Sequence, residues 1–440
     1  MKYHLITFGC QMNKSDSERI ATILENIGYK ETSKINEADL IIVNMCSVRQ
    51  KAVDRVYGMI KNFNRIKKQN PNLKIILTGC VLLKDKNKLK EKFDLIFDIR
   101  DLPKLAKFLT KQQNKQTDDY LSILPAISSP ITAYVPIMTG CNNFCAYCVV
   151  PYTRGREISR SPKIIITEIK KLLKDGYKEI ILLGQNVNSY QKDDVNFSQL
   201  LKMVDNLPGK FRLRFITNHP KDLTDELINT IAECKKVGPY MHLPIQAGND
   251  QILKKMNRHY TVFYYKNLIK KLRKKIKNLS ISTDIIVGFP GETKNQFNDT
   301  AKLMRSLKFD MAYLAQYSPR PQTLAAKTFK DNVPKEEKKR REEILNEILK
   351  KTALENNKKY IGKIIEVLII GYDKKNNLYG ATDTFKHIKI NSLIHPVRSH
   401  SAKGTVTVTL GQPASNGVKI NEFYNVKITQ AASWGLEGCL

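Results

Sequence analysis

At 440 residues the chain is long enough for two or three domains, and a hydrophobic content of 42% is ordinary for globular cores. The net charge of +32, from 74 Lys and Arg against 42 Asp and Glu, favours nucleic acid as a partner, although a Lys-, Asn- and Ile-rich composition gives the same excess on a merely solvated surface. Eight Cys, no stretch approaching a membrane span and no signal-peptide pattern at the start argue against a disulfide scaffold, a membrane protein and a secreted one; a cytoplasmic protein with metal or redox chemistry is expected.

The first segment repeats one phrase three times. Tyr3–Cys10, Asp39–Cys46 and Leu73–Cys80 are apolar runs that each end in Cys, at intervals of 36 and 34 residues. Continuous apolar runs suit strands buried on both faces of a parallel sheet. Between them lie helical patterns, Ser17 to Ile27 with Ile20, Ile23, Leu24 and Ile27 on one face, and Val48 to Phe63 with Val56 and Ile60. Cys10, Cys46 and Cys80 are thereby expected together at the carboxyl edge of the sheet, where open α/β folds gather ligands. That makes them a candidate metal site one ligand short. Asp94 to Ile99 predicts a further strand, and Lys111 to Pro130, polar and aperiodic, predicts a linker.

Six strand-like runs follow, each with a helical pattern after it: Tyr134–Met138, Glu179–Leu183, Arg212–Thr217, Tyr240–Ile245, Ser280–Val287 and Met311–Tyr317. The helices include Pro162–Asp175, closed by Gly176, and Asp222–Lys236, on which Cys234 shares a core face with Leu227 and Ile231. Six βα units predict a parallel, curved or barrel-like sheet with its site on the carboxyl-end rim. After the first of these strands come Cys141, Cys145 and Cys148 in a C-x3-C-x2-C array. Three thiolates on one short loop can hold three irons of a 4Fe-4S cluster and leave the fourth open. A structural zinc site would close its tetrahedron with a fourth Cys or His, and the nearest His, His219, is far along the chain.

Polar groups crowd the ends of the later strands: Gly184-Gln185-Asn186, His242 with Gln246, and the Gly-Phe-Pro-Gly-Glu turn that begins at Gly288. At carboxyl ends of barrel strands such groups read as ligand contacts. Lys335 to Tyr360 predicts a charged helix with an apolar stripe. Beyond Gly362, short alternating runs at Ile364–Ile370, Tyr379–Ala381, His387–Ile390, Thr405–Leu410 and Tyr424–Thr429 predict a small antiparallel barrel. Lys386 to Lys403 reads as a solvated insertion, and Cys439 as a free thiol in a terminal tail.

The C-x3-C-x2-C loop, with Tyr147 just before its last Cys, resembles the radical S-adenosylmethionine (SAM) signature. The phrases Phe8-Gly-Cys-Gln-Met-Asn13, Asn44-Met-Cys-Ser-Val-Arg49, Cys148-Val-Val-Pro-Tyr-Thr-Arg-Gly155, Gly184-Gln-Asn-Val-Asn188, His242-Leu-Pro-Ile-Gln246 and Tyr317-Ser-Pro-Arg320 extend the resemblance to the methylthiotransferases, in particular the MiaB-type tRNA branch. It implies an N-terminal open parallel α/β sheet carrying an auxiliary cluster (1–115), a central partial (βα)6 radical-SAM barrel (127–357) and a small C-terminal β-barrel of the RNA-binding TRAM type (358–435). Asn391 to Asn416 departs from the usual TRAM pattern.

The resemblance further implies two 4Fe-4S clusters, on Cys141, Cys145 and Cys148 and on Cys10, Cys46 and Cys80, with SAM bound at the open iron of the first. Tyr147, Gln185 and Gln246 are the candidates for lining the SAM pocket. The implied reaction puts a methylthio group on carbon 2 of an isopentenyl-adenosine beside the tRNA anticodon. An aromatic C–H offers neither an acidic proton nor a leaving group, so radical chemistry suits it better than acid–base chemistry. The expected partners are the tRNA anticodon stem-loop, a reducing electron donor such as a flavodoxin or ferredoxin, and a sulfur donor, with no membrane. Open alternatives are methylthiolation of threonylcarbamoyl-adenosine tRNA or of a ribosomal protein, and a non-catalytic iron-sulfur RNA-binding protein.

Overall fold

The computed structural model of the protein describes residues 1–48, 50–110, 119–126, 131–391 and 417–440. Its first part is a five-stranded parallel sheet in the order Lys30–Glu31, Lys2–Thr7, Leu40–Cys46, Lys74–Cys80, Leu95–Ile96. The apolar runs are continuous because both faces are buried. Leu40, Ile42 and Ile76 pack with Ile20 and Leu24 on one side, and Ile41, Val43, Ile75 and Leu77 pack with Val56 and Phe63 on the other. The strand expected over 94–99 is only Leu95–Ile96, because Asp98 accepts from the Arg100 N–H and starts a 3-10 turn over Ile99–Lys104.

The first helix departs most from expectation. It runs Gln11–Asn26, six residues earlier than the apolar periodicity suggests, and buries Asn13, Ser15, Asp16, Ser17, Glu18 and Arg19. Those polar turns are wedged between the sheet and the central strands: Met12 packs on Ile181 and Leu183, and Ser15 Oγ donates to the Tyr134 carbonyl at 3.2 Å. Of the expected linker, 119–126 is described. Tyr120 and Leu121 join the N-terminal core, and Thr22 Oγ1 donates to the Leu124 carbonyl at 2.9 Å, so this stretch is docked on the first helix.

Six parallel strands form the central arc, in sequential order Thr132–Pro136, Glu179–Leu183, Arg212–Phe215, Tyr240–His242, Ser280–Val287 and Met311–Gln316. The third and fourth meet through Leu213, whose N–H donates to the Lys236 carbonyl at 2.7 Å, with a parallel bridge to Val237. One apolar core fills the space between the arc and its outer helices, with Ile180, Leu182, Leu213 and Ile285 contributed by the strands. The helix expected over 222–236 is Asp225–Glu233; Thr224 caps its start, and Cys234 is the extended residue at its end, half-buried at the edge of the core rather than on the helix.

Helix Lys335–Lys358 crosses the last two strands and leads into a closed five-stranded barrel of Ile364–Tyr372, Leu378–Thr382, His387–Asn391, Gly435–Cys439 and Phe423–Ala432. The barrel is not wholly antiparallel, since His387–Asn391 pairs parallel with Gly435–Cys439. Cys439 therefore belongs to a barrel strand and not to a tail. The expected strand Thr405–Leu410, and residues 392 to 403 of the expected insertion, lie outside the described residues. Among the described residues no helix is long and apolar enough to cross a membrane.

Candidate metal centres

The loop bearing Cys141, Cys145 and Cys148 leaves the first central strand and is closed at its base by pairing of Met138–Thr139 with Ile158–Ser159. Gly140 has φ +79°, and a Cβ there would stand 2.0 Å from the Arg156 carbonyl oxygen, so only glycine fits. The Gly140 N–H donates to Gln185 Oε1 at 2.5 Å, Ala146 N to the Met256 carbonyl at 2.9 Å, and Asn257 Nδ2 to the Phe144 carbonyl at 3.0 Å. The loop is thus held from two separate elements, the end of the Glu179–Leu183 strand and the end of the Asp250–Lys255 helix. The Cys148 N–H donates to the Cys145 carbonyl at 2.9 Å, a turn that brings two of the thiols to one side. Burial, with the neighbouring Cys145, pushes the Cys148 thiol up to about 12. Arg258 donates from Nη1 to Cys145 Sγ at 3.3 Å, from Nη2 to the Pro244 carbonyl at 2.9 Å and from Nε to Tyr260 Oη at 2.7 Å.

Of the N-terminal thiols expected at strand ends, Cys46 and Cys80 do end strands, whereas Cys10 lies three residues beyond the end of Lys2–Thr7. Cys46 and Cys80 are register partners on adjacent strands, and Cys10 is the residue that starts the first helix. Asn13 Nδ2 donates to Asn44 Oδ1 at 2.8 Å and Asn44 Nδ2 returns to the Asn13 carbonyl at 2.8 Å, tying the helix start to the middle strand. This pair accounts for two glycines. A Cβ on Gly9 would meet Asn13 at 2.5 Å, and one on Gly79 (φ +100°) would meet Asn44 Oδ1 at 2.3 Å. Cys46, within hydrogen-bond reach, and burial push the Cys80 thiol up, while Arg154 pulls it down. Burial and the neighbouring Cys80 likewise raise Cys10.

Arg154, four residues beyond the start of the short helix Val150–Thr153, donates from Nε to Cys80 Sγ at 3.0 Å and from Nη2 to Asp16 Oδ2 at 2.5 Å. Next to it, Glu168 accepts from Arg19 at 3.4 Å and Arg160 at 2.6 Å, all three fully buried. All eight cysteines are free of disulfides. No three His, Cys, Asp or Glu groups among the described residues converge on a point that one metal ion would fill. Ligands of an iron-sulfur cubane each take a different iron and need no such point. Two sets of three thiols, buried or half-buried and each with one guanidinium donating to sulfur, fit iron-sulfur clusters well: the cations offset thiolate charge, and such outer donors are how proteins tune cluster sulfur.

On the inner face of the arc lie the other predicted residues. Gln185 is committed through Oε1 to the cysteine loop. Gln246 has φ +76°; its N–H donates to the Asp284 carbonyl and its carbonyl accepts from Ile286 N, both at 2.9 Å, so a strained residue is clamped at the strand end. Tyr147 is half-buried beside Cys145, Cys148 and Arg258. His242 Nδ1 is 2.8 Å from Ser282 Oγ, and its Nε2 is 3.5 Å from Asp284 Oδ2, with Tyr313 edge-on at 5.9 Å. Asn186 and Asn218 each bury a side-chain oxygen that has no hydrogen-bond partner. Glu292 of the Gly-rich turn is used structurally: it accepts from the Gly288 N–H at 2.6 Å and from Arg341 at 2.7 Å.

Sequence reasoning missed Arg154, Asp16 and Arg258. Arg154 stands within the quoted phrase after Cys148, but nothing there says that its partner is a thiol 74 residues upstream. Arg258 has no local signal at all.

Residues 135–304 match the Radical SAM superfamily and residues 2–98 match Uncharacterized protein family UPF0004. The chain is 42% identical over 457 residues to the tRNA-2-methylthio-N(6)-dimethylallyladenosine synthase of Clostridium botulinum, covering 99% of this chain and 96% of that one. The protein of the same name from Caldicellulosiruptor saccharolyticus is 45% identical over 407 residues, covering 88% and 86%. Among solved structures, the radical S-adenosylmethionine methyltransferase TsrM of Kitasatospora setae superposes with a TM-score of 0.55 at 12% identity, over 74% of this chain and 77% of that one. The cobalamin-dependent S-adenosylmethionine radical enzyme OxsB gives 0.53 at 12%, over 77% and 56%. At such identity these two speak for the fold alone.

Proposed function

We infer the function from one premise: the chain belongs to the family of tRNA-2-methylthio-N(6)-dimethylallyladenosine synthases. It is a radical-SAM enzyme that methylthiolates tRNA, converting the dimethylallyl (isopentenyl) adenosine beside the anticodon to its 2-methylthio derivative, with two 4Fe-4S clusters and SAM as cofactors. The observation that carries the residue assignment is the pair of thiol triads, one on the sheet edge and one on the arc, each with its own arginine. Cys141, Cys145 and Cys148 hold one cluster and leave an iron for SAM; Cys10, Cys46 and Cys80 hold the other. When bound, the first cluster supplies the electron that cleaves SAM and the second supplies sulfur.

The chain's own groups do the rest. Gln185 and Gly140 fix the cysteine loop, Arg258 places a cation against Cys145, and Tyr147, Gln185 and Gln246 are the residues assigned to the SAM pocket. The adenosine has to leave its stack to reach that site, as bases do in enzymes that act on them. A reducing donor such as a flavodoxin or ferredoxin, a sulfur donor, a cytoplasmic setting and domain borders at 1–115, 127–357 and 358–435 complete the reading.

Two triple variants test it. With Cys141, Cys145 and Cys148 all changed to Ala, iron should fall by about half and reductive SAM cleavage should vanish. With Cys10, Cys46 and Cys80 changed to Ala, iron should also fall by about half while SAM cleavage persists and sulfur insertion stops. Full iron in the second variant would remove the N-terminal triad from the account.

A further inference from the structure

Arg154 hydrogen-bonds a cysteine of the N-terminal triad while belonging to the segment that follows the other triad. Its backbone N–H donates to the Val150 carbonyl at 2.8 Å, directly after the loop of Cys141, Cys145 and Cys148. Its guanidinium is 2% exposed and its partner Asp16 is fully buried. Such a buried pair costs several kcal/mol of desolvation per ion and adds little net stability, so packing alone is a poor reason for its presence. Two atoms are left over: Arg154 Nη1 and Asp16 Oδ1 are buried and have no hydrogen-bond partner. A buried donor without a partner marks a strain reservoir or a group awaiting something absent. Here it stands on a guanidinium already bound to a thiol of the proposed centre.

We propose that Arg154 is a positioning residue for sulfur insertion: anchored by Asp16 through Nη2, it donates from Nε to the Cys80 sulfur through which the N-terminal triad would hold its cluster. This rests on the assignment of the second cluster to Cys10, Cys46 and Cys80. Hydrogen bonds to cluster sulfur stabilise the more negative, reduced state and raise the reduction potential. Because the donor comes from the arc, it also fixes the second centre relative to the first. A lysine cannot replace it, since one ammonium on a flexible stem does not present a planar fork to a thiol and a carboxylate at once.

The test uses the full chain reconstituted anaerobically, as wild type, Arg154→Lys and Arg154→Gln. Wild type is measured first: if it carries only one cluster, the assignment of the second centre fails, and that failure is separate from any behaviour of Arg154. Given two clusters, the readouts are the midpoint potential of each by redox titration followed by electron paramagnetic resonance, and methylthio product per SAM cleaved. Both variants should show a more negative potential at the N-terminal cluster, an unmoved one at the C-x3-C-x2-C cluster, and at least about a tenfold fall in product per SAM cleaved, the size usual for loss of an outer-shell partner. The Lys variant retains the charge that balances Asp16 and guards against simple misfolding. Selective loss of the N-terminal cluster from the Lys variant, with SAM cleavage intact, also supports the proposal. A loaded N-terminal cluster at wild-type potential in either variant overturns it.

Discussion

His219 is buried beside Tyr260, with ring centroids 5.6 Å apart, and its Nδ1 accepts from the Lys221 N–H at 3.3 Å. Burial, and then the cation of Arg258, drive it down to about 2 from the ordinary 6.5. The sign follows directly. The unfolded chain binds a proton near pH 6.5 and the folded chain does not, so the contribution to stability is intact above that value and is lost as pH falls toward about 2, with a limiting slope of about 1.4 kcal/mol per pH unit. His219→Asn keeps an acceptor for the Lys221 N–H but cannot titrate. Chemical denaturation between pH 7 and 4 should show a flatter acid limb for this variant. An unchanged limb would mean that the imidazole is protonated in the fold. In the sequence His219 enters only as a histidine too far along the chain to close a zinc site; its role in a turn depends on Asn188, which is joined to it by two hydrogen bonds from 31 residues away.

The C-terminal barrel has a second job besides any contact with RNA. Its turn at Thr382–Lys386 enters the amino-terminal end of the arc, where Arg212 donates to the Ala381 and Glu366 carbonyls, and Arg214 to those of Thr382 and Asp383, at 2.5–2.8 Å. Phe385 lies 5.0 Å from the Tyr240 ring, and Arg214 stacks on it at 4.6 Å. Deleting the chain after Tyr360 would leave two guanidiniums, both buried, without their carbonyls, which is costly at about 1–3 kcal/mol or more for each unsatisfied group. The truncated protein should therefore lose several degrees of melting temperature and part of its solubility, by calorimetry and sedimentation. An unchanged melting transition of the arc would refute the plug.

How far this was legible depends on the element. The two strands ending in Cys, Leu40–Cys46 and Lys74–Cys80, were readable because burial on both faces leaves an unbroken apolar run. The polar start of the Gln11–Asn26 helix was not, because its partners, Tyr134, Arg154 and Glu168 among them, come more than a hundred residues later. The closing strand Gly435–Cys439 was invisible for a different reason: two glycines give no β pattern, yet small residues fit there, since a Cβ on Gly438 would meet Val426 at 2.6 Å.

At the scale of the whole molecule, the sheet and the arc meet through buried charge rather than through oil alone. Asp16, Arg19, Arg154, Arg160 and Glu168 all lie in that contact, and through Arg154 it reaches Cys80 of the N-terminal triad. The +32 charge supplies a partner field, and lysines that meet phosphates release counterions and position RNA without reading its bases. Choice of the base falls to the site proposed beside the cysteine loop. The direct measurement is nucleoside mass spectrometry of tRNA carrying dimethylallyladenosine, after incubation with the reconstituted chain, SAM and a strong reductant. A methylthio group should replace one hydrogen of that nucleoside with wild type, and no such product should form when Cys10, Cys46 and Cys80 are replaced, although SAM is still cleaved. Methylthiolated product from that triple variant, or unmodified tRNA from wild type that cleaves SAM, would contradict the account.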